Sequence, residues 1–135
     1  MGPQRASVVY VEPLLGKLKK DMFADADWSV SLHRFRGDVD ATVDQVRADD
    51  PDLVVLDYFF RDEDAAESLI RQLQAVESPA PIPILVCRER DQSDQALRQL
   101  LPADSARIIT RPYTVEEFMG AARDLVAGRE HQADI

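Results

Sequence analysis

The sequence predicts a doubly wound α/β domain: a five-stranded parallel sheet between two layers of helices. Three observations carry this. The runs Leu53–Leu56 and "IPILVC" (82–87) are apolar throughout, as strands covered on both faces must be. The stretches between strands repeat apolar residues at three- and four-residue spacing. Crossovers of that length demand parallel neighbours and right-handed connections, so helices cover both faces of the sheet.

The elements follow in order. "SVVYV" (7–11) is short, β-branched and aromatic, and reads as the first strand. Leu14, Leu15, Leu18 and Met22 then recur at helical spacing, which predicts the buried face of the first helix. Pro13 suits its first turn, where a missing N–H costs nothing, and Gly16 weakens it slightly. "WSVSLHRF" (28–35) alternates Trp28, Val30 and Leu32 inward, a half-buried strand. Val39, Val43 and Val46 mark the second helix, closed by "DDPD".

After the third strand, Ala66, Leu69, Ile70, Leu73 and Val76 give a third helix, and "ESPAP" a proline-punctuated loop. Ala96, Leu97, Leu100 and Leu101 predict a short fourth helix that Pro102 ends. "RIIT" (107–110) is the fifth strand. Thr114 and Glu117 form a capping box for a last helix. Its predicted buried face is Val115, Phe118, Met119, Ala122, Leu125 and Val126. Gly128 reads as a helix stop, giving one domain over residues 1–127 and a tail at 128–135.

At 135 residues the chain is long enough to bury a core without staples. Its one cysteine, Cys87, excludes an intramolecular disulfide and fits a reducing, cytoplasmic setting. No apolar run approaches a membrane span, and "MGPQRAS" lacks the apolar core of a secretion signal. A net charge of −9 argues against direct nucleic-acid binding.

In such sheets, functional groups gather beyond the carboxyl ends of the strands. Those ends carry Glu12-Pro13, Asp57, Cys87-Arg88 and Arg111-Pro112, so carboxylates and guanidiniums converge on one edge. No glycine-rich phosphate loop follows the first strand, and no serine stands in a nucleophile elbow. His33 and His131 lack metal-ligand spacing. Cys87 reads as a buried strand residue.

Four motifs together resemble the receiver domain of two-component response regulators, the CheY-like, flavodoxin-like fold, over residues 7 to 127. They are "VVYVEP", "PDLVVLD", "PIPILVC" and "IITRPY". The resemblance implies that Asp57 is the phosphoacceptor for a sensor histidine kinase. It also implies a Mg²⁺ ion held by Asp57, by an acidic residue after the first strand, and by the Phe59 backbone carbonyl. A Ser or Thr ending the fourth strand and a Lys ending the fifth would engage the phosphoryl oxygens, since phosphoryl transfer depends on positioning and charge neutralisation.

This chain departs from that pattern at most of those positions. Glu12 keeps one acidic place, but the second is Pro13, which ligates nothing through its side chain. The hydroxyl place falls on Arg88, or on Cys87 if the strand slips by one residue. The lysine place is Arg111, a different donor geometry. The aromatic three residues before it is Ile108.

The expectation is therefore an atypical receiver: Mg²⁺-dependent phosphorylation weakened or lost, guanidiniums from Arg111 and Arg88 paired with Asp57 and Glu12, and a role in protein contacts rather than catalysis. The alternative is a working phosphoreceiver modified on Asp57. A small enzyme on the same layout would need a flavin-phosphate loop or a nucleophile–base pair, and neither is visible. For partners, the resemblance points to a histidine kinase or other signalling protein. It also points to a homodimer through the fourth predicted helix, fifth strand and last helix, around Gln95, Gln99, Arg107, Thr114, Glu116 and Arg123.

Overall fold

Five strands and four helices lie along the residues that the computed structural model describes, which are 4–58, 63–75, 82–88 and 105–133. The strands are β1 (Arg5–Tyr10), β2 (Ser29–Arg34), β3 (Leu53–Tyr58), β4 (Ile84–Arg88) and β5 (Ala106–Thr110). The helices are α1 (Pro13–Asp25), α2 (Val39–Asp49), α3 (Glu63–Gln74) and a C-terminal helix (Val115–Ala133). The sheet order is β2-β1-β3-β4-β5 and every pair is parallel. Strand order reverses between β1 and β3, so a crevice opens beyond their carboxyl ends. The predicted fourth helix and the residues Gln95, Gln99, Phe59 and Val76 lie outside the described residues.

Because side chains alternate along a strand, the sheet sorts its core into two layers. Val9, Val54, Leu56, Ile84 and Val86 pack against Val43 and Val46 of α2 and Leu69, Ile70 and Leu73 of α3. Ala6, Val8, Leu53, Val55, Leu85 and Cys87 pack against Phe23 of α1 and Phe118, Met119, Ala122, Leu125 and Val126 of the C-terminal helix. Asp57 has the parity of Leu53 and Val55, so its side chain belongs to the second layer.

Local signals explain most helix boundaries. Asp38 caps α2, its carboxylate accepting from the Ala41 N–H at 3.0 Å. Asp50 closes that helix in the left-handed region at φ 49°, a conformation Asp tolerates better than most side chains. Trp28 immediately precedes β2 and packs on Phe23, ring centroids 4.9 Å apart. Phe23 in turn meets Phe118 edge-on at 5.3 Å, joining α1 to the C-terminal helix.

Four expectations need correction. The buried face of α1 is Gly16, Lys19 and Phe23, while Leu14 and Leu18 are 63% and 48% exposed. The cause lies at the end of β1: a Cβ on Gly16 would come within 2.8 Å of the Tyr10 ring. Glycine lets that turn of α1 approach the ring, and this rotates the leucines away from the sheet. Gly16 is thus needed for packing rather than being a mere weakness.

Val115 is 55% exposed, because it opens the C-terminal helix over the mouth of a groove instead of over the sheet. The Thr114–Glu117 box is half-formed. Thr114 Oγ1 accepts from the Glu117 N–H at 3.0 Å and donates to Glu117 Oε1 at 3.3 Å. Lastly, the helix runs through Gly128 to Ala133. Arg129 explains this, since its Nη1 donates to the Pro51 carbonyl at 3.1 Å and ties the last turns to the α2–β3 connection.

Candidate functional site

The crevice at the carboxyl edge holds a buried ion pair. Lys19 Nζ lies 2.9 Å from Asp57 Oδ2, with Lys19 1% exposed and Asp57 fully buried. Each partner is put there by its own element. β3 is apolar on both faces up to Leu56, and its next residue, Asp57, points into the α1 layer. On α1, Lys19 shares its stripe with Gly16 and Phe23, at spacings of three and four residues. Gly16 lowers the helix, Phe23 anchors it in the core, and the ammonium between them reaches the carboxylate.

Asp57 Oδ2 thus meets an ammonium from α1, a cation the sequence reading did not anticipate beside Arg111 and Arg88. The sequence reading missed Lys19 because a lysine in the basic run Lys17-Leu18-Lys19-Lys20 looks solvated. Its three-residue offset from Gly16 and four-residue offset from Phe23 was the available signal.

The remaining predicted residues divide. The β3–β4 register sets Cys87 opposite Asp57 and Arg88 opposite Tyr58. Cys87 is thus the β4 residue beside the carboxylate, and Arg88 stands one step further out. Arg111 follows β5, its N–H donating to the Arg88 carbonyl at 3.0 Å, and the Arg111–Pro112 bond is cis. Ile108 packs in the other layer, against the α2–α3 side. Glu12 is an exposed residue at the start of α1. Its carbonyl accepts from the Leu15 and Gly16 N–H groups, and Pro13 opens the helix as predicted.

Charge and burial meet again at Cys87 and Tyr113. Burial pushes the Cys87 thiol up to about 12, opposed by the Lys19 ammonium and reinforced by the Asp57 charge. Burial likewise holds the Tyr113 hydroxyl well above its ordinary range, with Cys87 and Asp57 adding and Arg111 opposing. The Tyr113 ring stacks on Phe118, ring centroids 5.8 Å apart. Asp57, Lys19, Cys87, Tyr113 and Arg111 thus form one electrostatic unit.

Above this unit a groove of about 280 Å³ runs between α1 and the start of the C-terminal helix. Leu15, Leu18 and Met22 line one wall, Pro112, Tyr113 and Val115 the other, and Lys19 and Arg111 supply its cations. At the opposite end of the sheet, Ser7 Oγ donates to Asp49 Oδ2 at 2.7 Å, and His33 Nε2 meets the same oxygen. That cluster ties β1, β2 and α2 together. Among the described residues, no three His, Cys, Asp or Glu side chains are grouped to hold a metal ion. No described helix is long and apolar enough to cross a membrane.

Solved structures share this fold. The chain is similar to a response regulator receiver protein from Sinorhizobium medicae WSM419 (TM-score 0.76, 16% identity, 94% of this chain and 97% of that one). It is similar to the receiver domain of the sensor histidine kinase PA1611 from Pseudomonas aeruginosa PAO1 (TM-score 0.74, 17% identity, 93% and 99%), whose active-site cleft coordinates a magnesium ion. It is also similar to the chemotaxis response regulator CheY4 of Vibrio cholerae (TM-score 0.71, 10% identity, 91% and 98%). No protein-family model and no curated protein sequence matches the chain. The fold is that of response-regulator receiver domains, CheY-like and flavodoxin-like.

Proposed function

We propose that the chain is a receiver module of two-component signal transduction that works through protein contacts, with Mg²⁺-dependent phosphorylation of Asp57 weakened or lost. The observation that carries this is the Lys19–Asp57 pair. A phosphoacceptor must present its carboxylate to a donor and share it with a divalent cation. Here one oxygen holds an ammonium at 2.9 Å and the whole residue is out of solvent.

The surrounding donors do not fit Mg²⁺, which demands oxygen ligands in near-octahedral array. Pro13 offers no side-chain oxygen, Glu12 faces solvent, and Cys87 contributes a protonated sulfur. A module of this kind carries no reaction of its own. It presents a surface to a histidine kinase or another signalling protein, and its charge centre is already neutralised.

One feature favours the second reading, a working phosphoreceiver. An ammonium beside Asp57 is also what would neutralise a transferred phosphoryl group. Incubation with Mg²⁺ and a small acyl-phosphate donor, followed by intact mass measurement, separates the two. The proposed function expects no added phosphoryl mass and no change on adding beryllofluoride. Stoichiometric modification of Asp57 would replace it with the second reading.

A further inference from the structure

We propose that the groove between α1 and the start of the C-terminal helix receives α1 of a second copy of this chain, the two helices running antiparallel about a twofold axis. This contact is independent of the state of Asp57. It uses α1, which the face expected from the fourth predicted helix, β5 and the last helix does not.

Large apolar side chains exposed singly are ordinary, but a contiguous set marks a surface that something covers. Leu14, Leu18 and Val115 are all exposed, and they stand together. Leu18 and Val115 lie on opposite walls of the groove, and Leu14 is one turn from Leu18 on α1. The half-buried Leu15 and Met22 extend the α1 wall. With 13 residues, α1 is about 20 Å long. It therefore sets an exposed ridge of leucines directly beside an apolar groove, and a ridge next to its own groove is what a self-complementary contact needs.

Charge fixes the direction. The exposed face of α1 carries Leu14, Leu18, Asp21 and Asp25 at spacings of four, three and four residues. That face is apolar towards the start of the helix and acidic towards its end. Asp25 stands in a last turn that has no basic residue, where the helix dipole disfavours a carboxylate. Neither aspartate pairs with a cation among the described residues.

Arg111 lines the groove and follows β5 at the carboxyl edge of the sheet, the edge from which α1 starts. An antiparallel second α1 brings its acidic end to that guanidinium and its leucines to the apolar walls. A parallel copy would instead set Asp25 beside Asp25. The twofold repeats each favourable contact, so association closes at two chains. Two helix faces of this length make a small interface, and a net charge of −9 on each chain opposes approach. The dimer is accordingly weak and concentration-dependent.

Sedimentation velocity of the full chain, from micromolar to millimolar concentration, tests this, with circular-dichroism melts to check folding. The wild type is expected to pass from monomer to dimer across that range. Leu14→Gln/Leu18→Gln places good helix formers at exposed positions. It should weaken the dimer about tenfold or more and leave the melt unchanged. Asp21→Lys/Asp25→Lys and Arg111→Glu should each weaken it as well, and combining the three substitutions should restore it.

A wild type that stays monomeric throughout overturns the proposal and leaves the groove to a helix of another protein. A dimer indifferent to the leucine variant also overturns it, because association then uses another face. Charge variants that each weaken the dimer without recovery on combination overturn the antiparallel arrangement.

Discussion

Lys19 and Asp57, 38 residues apart in sequence, meet at 2.9 Å with both side chains buried. Removing either charge takes from the other the ion-pair partner that offsets its desolvation. Lys19→Met is expected to lower stability by about 3–5 kcal/mol at neutral pH. Combining it with Asp57→Asn should recover part of the loss, with a coupling energy of about 1–3 kcal/mol. Urea unfolding of the two single variants and the double variant measures both quantities. Independent, additive losses would show that the pair is not a unit.

Cys87 gives a prediction in pH. Its folded-state value is raised from 9.0 to about 12 by burial, so folding favours the protonated thiol. Between those values the unfolded chain releases a proton that the native chain retains. Stability contributed by this group is thus complete below pH 9 and declines as pH rises from 9 towards 12. A Cys87→Ala variant should show a shallower decline across that window. Alkylation of the native thiol at pH 8 should be slow and should accelerate sharply on unfolding.

Gly16→Ala tests the approach of α1 to β1. Alanine is worth about 1 kcal/mol over glycine in a helix interior. The added Cβ, however, would stand 2.8 Å from two atoms of the Tyr10 ring. We expect net destabilisation of about 1–3 kcal/mol, the usual cost of overpacking. Chemical-shift changes should centre on Tyr10 and Lys19, and Tyr10→Leu in the same chain should relieve the loss. A gain in melting temperature would show that the contact is unimportant.

The two helix caps are expected to be of similar weight. Thr114→Ala removes the hydroxyl that accepts from the Glu117 N–H, and Asp38→Ala removes the carboxylate that accepts from the Ala41 N–H. Each should cost about 1 kcal/mol by chemical denaturation. Thr114→Ser and Asp38→Asn should restore most of it.

How much of this was legible in sequence differs by element. Leu53–Leu56 and the 82–87 run announce covered strands because both faces of each are apolar. Strand–helix alternation then leaves few topologies, and the carboxyl-edge rule picks out Asp57. Side-chain facing on α1 was not legible. Leu14 and Leu18 imitate a core stripe by spacing, while the true stripe mixes a glycine, a lysine and a phenylalanine. Lys19 makes sense as a buried residue only when the carboxylate beneath it is known, and that is long-range information. Gly128 misled for a similar reason, because the Arg129 tether to Pro51 spans 78 residues.

Placing the ammonium on α1 has a consequence for when and where the site is filled. An ion taken from solution arrives by diffusion, at an occupancy set by its concentration in the surroundings. An ammonium carried on the chain arrives with the folding of α1 and is present once per molecule. Chelators cannot strip it, because it is covalently part of the chain. The cation that Lys19 brings to Asp57 is thereby inherited from the gene rather than negotiated with the cell.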